Sequence, residues 1–425
     1  MFCPITLKDI QYIKKQTEHK PFYYYDGYMI EENCKKFLSS FRKYFRDFRN
    51  FYKVRELNNP KILELIFKYG IDFDVTNRDE LDLITGLGIL SKHISYTNNF
   101  TSEKDMIYAY NNQVNINLDN IQDLDMFDKL RIKFDNKAII HDNTICFNYN
   151  PRIKPNYNVI NKFGMITEDI IKGFKKAFEL GYNIFGIKCI NEYNTQYDIA
   201  TYDVLFKNIF YIIDELRKNN IIIDFINLGE IFDITEETPQ KIRKIFDKYI
   251  ELYELDDEPQ IYAECTSHIT KNYGWLITEC NSIKKIINGI KSNTHNELNI
   301  ETNYGLNANM INLYQKVNDE NNISVFGKKT DDKINANIVG NTYDYNDVYA
   351  KNITIPEINI GDNVIIHNVG INNTIYGEYM KYNNNIQTIS KNNNNNDDYI
   401  VTIVTIINVV IFYIIGIFVY ANVMN

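Results

Sequence analysis

The chain has 425 residues, 44% of them hydrophobic, with 46 basic and 55 acidic side chains and a net charge of −9. That length holds two domains with sizeable cores, and the acidic balance argues against a nucleic-acid role driven by phosphate neutralisation. The 6 cysteines are scattered with no CxxC pair and the 6 histidines show no ligand spacing, so the thiols read as reduced core residues and no metal site is expected.

The N-terminus, MFCPITLKDIQYIKKQ, carries charges where a secretory signal needs an apolar run. Short β-branched or aromatic runs then follow at 51–54, 71–75, 93–97, 114–118, 144–149, 184–190, 222–228 and 260–264. Helical patterns stand between most neighbours, at 60–69, 78–87, 102–111, 121–131, 168–180, 202–218 and 239–253. Gly70, Gly88 and Gly181 follow three of these helices, and Thr238-Pro239 opens the last. Alternating strands and helices predict an α/β class with a parallel sheet, as a (β/α)8 barrel over 21–274 or an open doubly wound sheet. After about Trp275 the helical period stops, and runs at 274–279, 323–326 and 357–367 predict a β-rich domain over 275–380. Residues 381–398, containing KNNNNNDD, read as a flexible polar linker. From Ile400 to Ala421 no charge interrupts a run rich in Ile, Val and Phe. Residues 399–421 are therefore expected to form one transmembrane helix, a C-terminal tail anchor, with a buried core element as the alternative.

Several motifs stand in a fixed order: PFYYYDGYMIEENCKKF from Pro21, FYKVRELNNPKILELIFKYGIDFDVTNRDEL from Phe51, NKFGM from Asn161, NLGEIF from Asn227, IYAECTS from Ile261 and PEINIGDNVIIHNVG from Pro356. Together they resemble the pyridoxal-phosphate (PLP) ornithine, arginine and diaminopimelate decarboxylases of fold type III, over roughly residues 20–380. The resemblance implies the barrel rather than the open sheet, joins Met1–Lys20 to the β-rich domain, and makes PLP the ancestral cofactor.

It also locates the site, where the residues that carry chemistry differ. Aligned through Tyr52, Val54 and Pro60, the Schiff-base lysine position is Arg55, whose guanidinium stays protonated and offers no lone pair to an aldehyde. On a strand Lys53 would face the same way, about 6.6 Å away. It reads as a strand-end cation, with a relocated aldimine as the alternative. Asp74 and Glu80 match retained acids of the family, and read equally as a strand-end acid and a solvated helix residue. The cofactor-stacking histidine falls near Ile190. The phosphate-binding glycines become Gly229-Glu230-Ile231, which puts a carboxylate where an anion is held. Glu264, the implied partner of the pyridinium nitrogen, remains, but the arginine of its motif is lost in Glu264-Cys265-Thr266-Ser267. The catalytic-cysteine segment reads Tyr343-Asp344-Tyr345-Asn346-Asp347, so Asp344 is retained and Tyr343 puts a ring large enough to fill the pocket at the cysteine position. Asn372 stands for a tyrosine, and Glu301 lies near a substrate-amine aspartate. An ion pair between Arg55 and Glu230 would fill the space of cofactor and phosphate.

No catalytic residue survives in this reading, Glu264 and Gly229 are remnants of cofactor binding, and PLP binding is expected to be lost. Each missing charge-assisted phosphate contact is worth roughly 1.5–3 kcal/mol. The resemblance then implies a protein-binding role: an antizyme inhibitor raising polyamines, a regulatory subunit in a homodimer or with a decarboxylase paralogue, or a membrane-tethered scaffold whose folded part is cytosolic. The antizyme-contacting segment maps to Ser102–Arg131, where Lys104, Lys129 and Arg131 are outnumbered by Asp119, Asp123, Asp125 and Asp128. The competing class is an active PLP-dependent amino-acid decarboxylase with a rearranged site.

Overall fold

In the computed structural model, residues 3–16, 19–99, 101–134, 144–153, 162–190, 198–231, 235–288, 299–308, 322–328, 333–371, 388–391 and 399–403 are described. The chain divides into two units, Gly27–Tyr273 forming one, and Met1–Asp26 with Gly274–Val369 contributing to the other.

In the first unit eight strands close into a parallel barrel: β2 (Arg49–Lys53), β3 (Asp72–Val75), β4 (Ile94–Thr97), β5 (Asn115–Leu118), β6 (Thr144–Tyr149), β7 (Ile184–Cys189), β8 (Phe225–Glu230) and β9 (Gln260–Glu264). Closure is made by β2 pairing with β9, Phe51 against Glu264. Outer helices include α2 (Gly27–Arg42), α3 (Pro60–Lys68), α4 (Arg78–Gly86), α5 (Glu103–Asn111), α6 (Ile121–Phe134), α7 (Thr167–Glu179), α8 (Ile199–Arg217) and α9 (Thr238–Leu252). Their starts follow from local chemistry. The Asn59 side chain accepts from the N–H groups of Lys61 and Ile62 just before Pro60, and Asn77, Ser102 and Asp198 cap α4, α5 and α8. Gly70, Gly88 and Gly181, at φ of 81°, 78° and 90°, leave three helices in the left-handed region that glycine adopts without strain. Aromatic rings pack the outer layer, as where Phe206 and Phe210 of α8 meet Phe246 of α9.

In the second unit the mixed sheet runs β14-β13-β11-β10-β1-β17-β16, from β1 (Phe22–Asp26), β10 (Gly274–Asn288), β11 (Asn299–Leu306), β13 (Lys333–Val339), β14 (Val348–Pro356), β16 (Thr388–Lys391) and β17 (Tyr399–Ile403). β12 (Ile323–Val325) and β15 (Asn363–Ile366) pair alongside β10. Helix α1 (Leu7–Gln16), opened by reciprocal bonds between Thr6 and Asp9, puts Ile10 and Ile13 into a core with Phe22, Tyr24, Trp275 and Ile277.

Three differences from the sequence reading concern boundaries. Phe22–Asp26 lies in the β-rich sheet, because its near-continuous aromatic run pairs on both sides, with β10 and β17. Thr388–Lys391, inside the expected linker, is a strand. Tyr399–Ile403, at the head of the expected transmembrane helix, is also a strand, its β-branched residues paired with β1, while residues 404–421 lie outside the described residues. Among the described residues no helix is long and apolar enough to cross a membrane. The cysteines Cys3, Cys34, Cys146, Cys189, Cys265 and Cys280 are free and buried.

Candidate functional site

The strands of a parallel barrel converge at their C-terminal ends, and there this chain places charges inside. Lys53 ends β2 and Arg55 lies in the single 3-10 turn Val54–Glu56 that follows. The turn sends the two side chains to different acids. Arg55 Nη1 is 3.2 Å from Asp74 Oδ2 on β3, whereas Lys53 Nζ is 3.0 Å from Glu230 on β8 and 2.9 Å from Glu264 on β9. The expected pair of Arg55 with Glu230 is thus replaced by two others, Arg55 with Asp74 and Lys53 with Glu230. The two cations do not share a strand face, because the strand stops at Lys53.

A third cation, Lys188 of β7, was not singled out by the sequence reading. It is buried inside the barrel, its Nζ 2.8 Å from Asp74 Oδ1, 2.8 Å from Thr97 Oγ1 and 2.8 Å from Glu264 Oε1. Thr97 in turn donates to Asp74 at 2.5 Å. Lys53, Arg55 and Lys188 therefore close on Asp74, Glu230 and Glu264 with formal charges in balance. Burial alone would lower the pKa of the Lys53 and Lys188 amines. The carboxylates of Glu230 and Glu264 beside Lys53, and of Asp74 and Glu264 beside Lys188, outweigh it and hold both above the ordinary lysine value. Burial would likewise raise the Glu264 carboxyl, but Lys188 and Lys53 hold it well below the usual carboxylate range. Arg55 sits at the rim, its side chain 36% exposed.

The segment expected to stand at the phosphate glycines is arranged in the same sense. Gly229, at φ 72°, makes a bulge in the pairing of β8 with β9, and its N–H is spent on Asn227 Oδ1 at 2.9 Å. The bulge brings Glu230 opposite Glu264, where Glu230 Oε1 accepts the N–H of Ser267 at 3.1 Å while the other oxygen meets Lys53. A carboxylate of the chain itself thus takes a backbone donor and a cation at this loop, leaving neither open to an anion. Glu264 faces two ammonium groups rather than a ring nitrogen, and Arg55 has no lone pair to form an imine. These residues do not fit pyridoxal phosphate.

Other expectations fall elsewhere. Glu80 is buried rather than solvated: it accepts from Thr76 and Asn77, tying the loop after β3 to α4, and burial raises its pKa. Ile190 follows β7 and is half-buried, its N–H donated to Tyr149 O at 2.8 Å. Tyr343 and Asp344 lie on the turn between β13 and β14, and the Tyr343 ring is exposed rather than filling a pocket of its own unit. Asn372 and the side chain of Glu301 lie outside the described residues. Within Ser102–Arg131, Asp119, Asp123 and Asp128 are buried, so three of the four acids weighed against this face do not charge its surface. Among the described residues no cluster of metal-binding side chains occurs.

Residues 29–270 match the family described as pyridoxal-dependent decarboxylase, pyridoxal binding domain. The chain is 22% identical over 368 residues to diaminopimelate decarboxylase of Archaeoglobus fulgidus, covering 82% of each. Its fold is similar to diaminopimelate decarboxylase from Helicobacter pylori complexed with L-lysine, with TM-score 0.70, 17% identity, and 87% of this chain and 91% of that one covered. It is also similar to the Paramecium bursaria Chlorella virus arginine decarboxylase bound to agmatine, with TM-score 0.68, 18% identity, and 86% and 95% covered.

Proposed function

The chain belongs to the pyridoxal-dependent decarboxylase family, and we propose that it is a member in which cofactor chemistry has been exchanged for protein binding. The observation that supports this reading is the closed set of charges inside the barrel mouth, with Arg55 where the family's lysine would stand, Glu230 on the Ser267 N–H, and Glu264 held by Lys53 and Lys188. Amines kept as ammonium ions by adjacent carboxylates are poor nucleophiles toward an aldehyde.

The partner is then another protein of polyamine regulation, in the manner of an antizyme inhibitor or of a regulatory subunit of an active decarboxylase. The exposed Lys104 and Lys129, with Asp119, Asp123 and Asp128 buried, favour the Ser102–Arg131 face for an acidic partner surface. The uncharged run beyond Ile403 supports attachment to a membrane with the folded units in the cytosol.

Titration of the full-length chain with pyridoxal phosphate, followed by borohydride reduction and peptide mapping, tests the central claim. The expected result is no aldimine absorbance and no reduced adduct. A stoichiometric adduct on Lys53 or Lys188 would restore the competing reading, an active decarboxylase with a relocated lysine.

A further inference from the structure

The opposite, N-terminal mouth of the barrel holds a cavity of about 630 Å³ that plays no part in the site described above. Its lining includes the first residue of six barrel strands, Arg49, Asn115, Thr144, Ile184, Phe225 and Gln260, and it reaches inward to Ser95, Asn117, Cys146 and Asn227. The deep groups are neutral amides and a hydroxyl, and they have bonding capacity to spare. Asn117 Nδ2 donates to Ser95 Oγ and to Thr97 Oγ1, both at 2.7 Å, and Asn227 Oδ1 accepts from Gly229. Asn115 Nδ2 donates to Ile94 O at 3.3 Å. This leaves Asn117 Oδ1, Asn227 Nδ2 and Asn115 Oδ1 without a protein partner among the described residues. Asn117 and Asn227 are only 7% and 4% exposed. These atoms open onto the cavity, where they stand available to bond whatever occupies it.

Water would satisfy the amides alone, but the cavity also has flat apolar walls. The Phe225 ring stacks on Tyr262 with centroids 4.9 Å apart, Phe51 lies beside Tyr262, and the Arg49 guanidinium covers both Phe51 and Tyr262 while Asp72 neutralises it. The volume lies within the roughly 300–1,000 Å³ typical of small-molecule sites. Charge at the rim comes mainly from Asp224 and Asp257, since Glu258 is paired with Arg243, and it disfavours an anion. We propose that this mouth binds a small uncharged heteroaromatic molecule, held edge-on by the amides of Asn115, Asn117 and Asn227 and face-on by the aromatic wall.

Nicotinamide and adenine, titrated separately into the full-length chain and followed by ligand-observed NMR, serve as probes. At least one is expected to bind saturably, and nicotinate, which adds a negative charge to the same ring, at least tenfold more weakly than nicotinamide. Ile222 and Ile184 stand exposed at the opening, so Ile222→Trp and Ile184→Trp plug it without touching the core. Each should weaken binding at least tenfold with an unchanged circular dichroism spectrum. Absence of saturable binding by both probes, or binding that survives both tryptophan variants, would overturn the proposal. So would a crystal structure grown with either probe that shows only water in the cavity.

Discussion

The two mouths of one barrel solve the problem of buried polarity in opposite ways. At the C-terminal mouth three cations meet carboxylates of the same chain: Lys188 with Asp74 and Glu264, Lys53 with Glu230 and Glu264, Arg55 with Asp74. At the N-terminal mouth neutral amides face an open volume with valences unspent. The two are joined through Asn117, which bonds Thr97, which bonds both Asp74 and Lys188. In this family the C-terminal ends of the strands are the expected seat of function. Here that end has the physics of a core and the other end has the physics of a site.

The largest expected effect breaks the closed end. Lys188→Met leaves Asp74 and Glu264 short of one positive charge in a region that water barely reaches, so unfolding stability should fall by about 3–5 kcal/mol in urea titration. Adding Glu264→Gln to Lys188→Met removes the surplus negative charge and should recover more than half of that loss. If the two substitutions simply add, the charges do not act as one network.

A pH series sharpens the same contrast. Glu264 titrates lower folded than its unfolded value of about 4.3, so its contribution is complete above that pH and fades as acid approaches the folded value. Lys53 and Lys188 titrate higher folded than about 10.4, so theirs is complete below that and is lost as pH rises through the folded value. Glu80 and Asp119, raised by burial, work in the opposite sense, because acid relieves the strain of their buried charge. The difference between wild type and Glu264→Gln isolates the first term. Its acid limb, measured by thermal denaturation from pH 3 to 6, should be shallower in the variant, and an identical limb would show that Glu264 is not held by its neighbours.

Much of this arrangement is written locally in the chain, and the decisive part is not. The barrel strands and the helices after them were readable because alternating apolar runs, asparagine caps and terminal glycines act within a few residues. β8 begins three residues later than its apolar run, since Ile222 stands exposed at the cavity mouth and Asp224 turns back to bond Phe185. Arg55, Glu230 and Glu264 were legible by position. Lys188 was not, although one signal was present: a lone lysine between Ile187 and Cys189 in an otherwise apolar strand. Which acids it neutralises depends on closing eight strands into a ring, and no spacing in the sequence encodes that. The same is true of the cavity, whose amides come from two separated strands, β5 and β8.

At the open end, substitutions should scarcely move stability. Ile222→Trp replaces a side chain that is 64% exposed and should change the unfolding free energy by no more than about 0.5 kcal/mol, a tenth of the Lys188 effect. A loss of several kcal/mol would mean the mouth is packed rather than open.

The smallest expected effect is the most pointed. Arg55→Lys restores an amine at the position where the family forms its imine, yet it leaves Glu230 on the Ser267 N–H, Gly229 bonded to Asn227, and Glu264 between two ammonium groups. The new amine would also inherit Asp74 as a neighbour and remain protonated beside it. No carbon dioxide release from ornithine, arginine, lysine or diaminopimelate, and no borohydride-stable adduct at position 55, should follow. Turnover well above background in this single variant would mean that one residue separates the chain from a working enzyme, and that the charges filling the barrel mouth yield to the cofactor. If the variant stays silent, the loss is distributed over Glu230, Lys188 and the bonded glycine, and no single reversion can undo it.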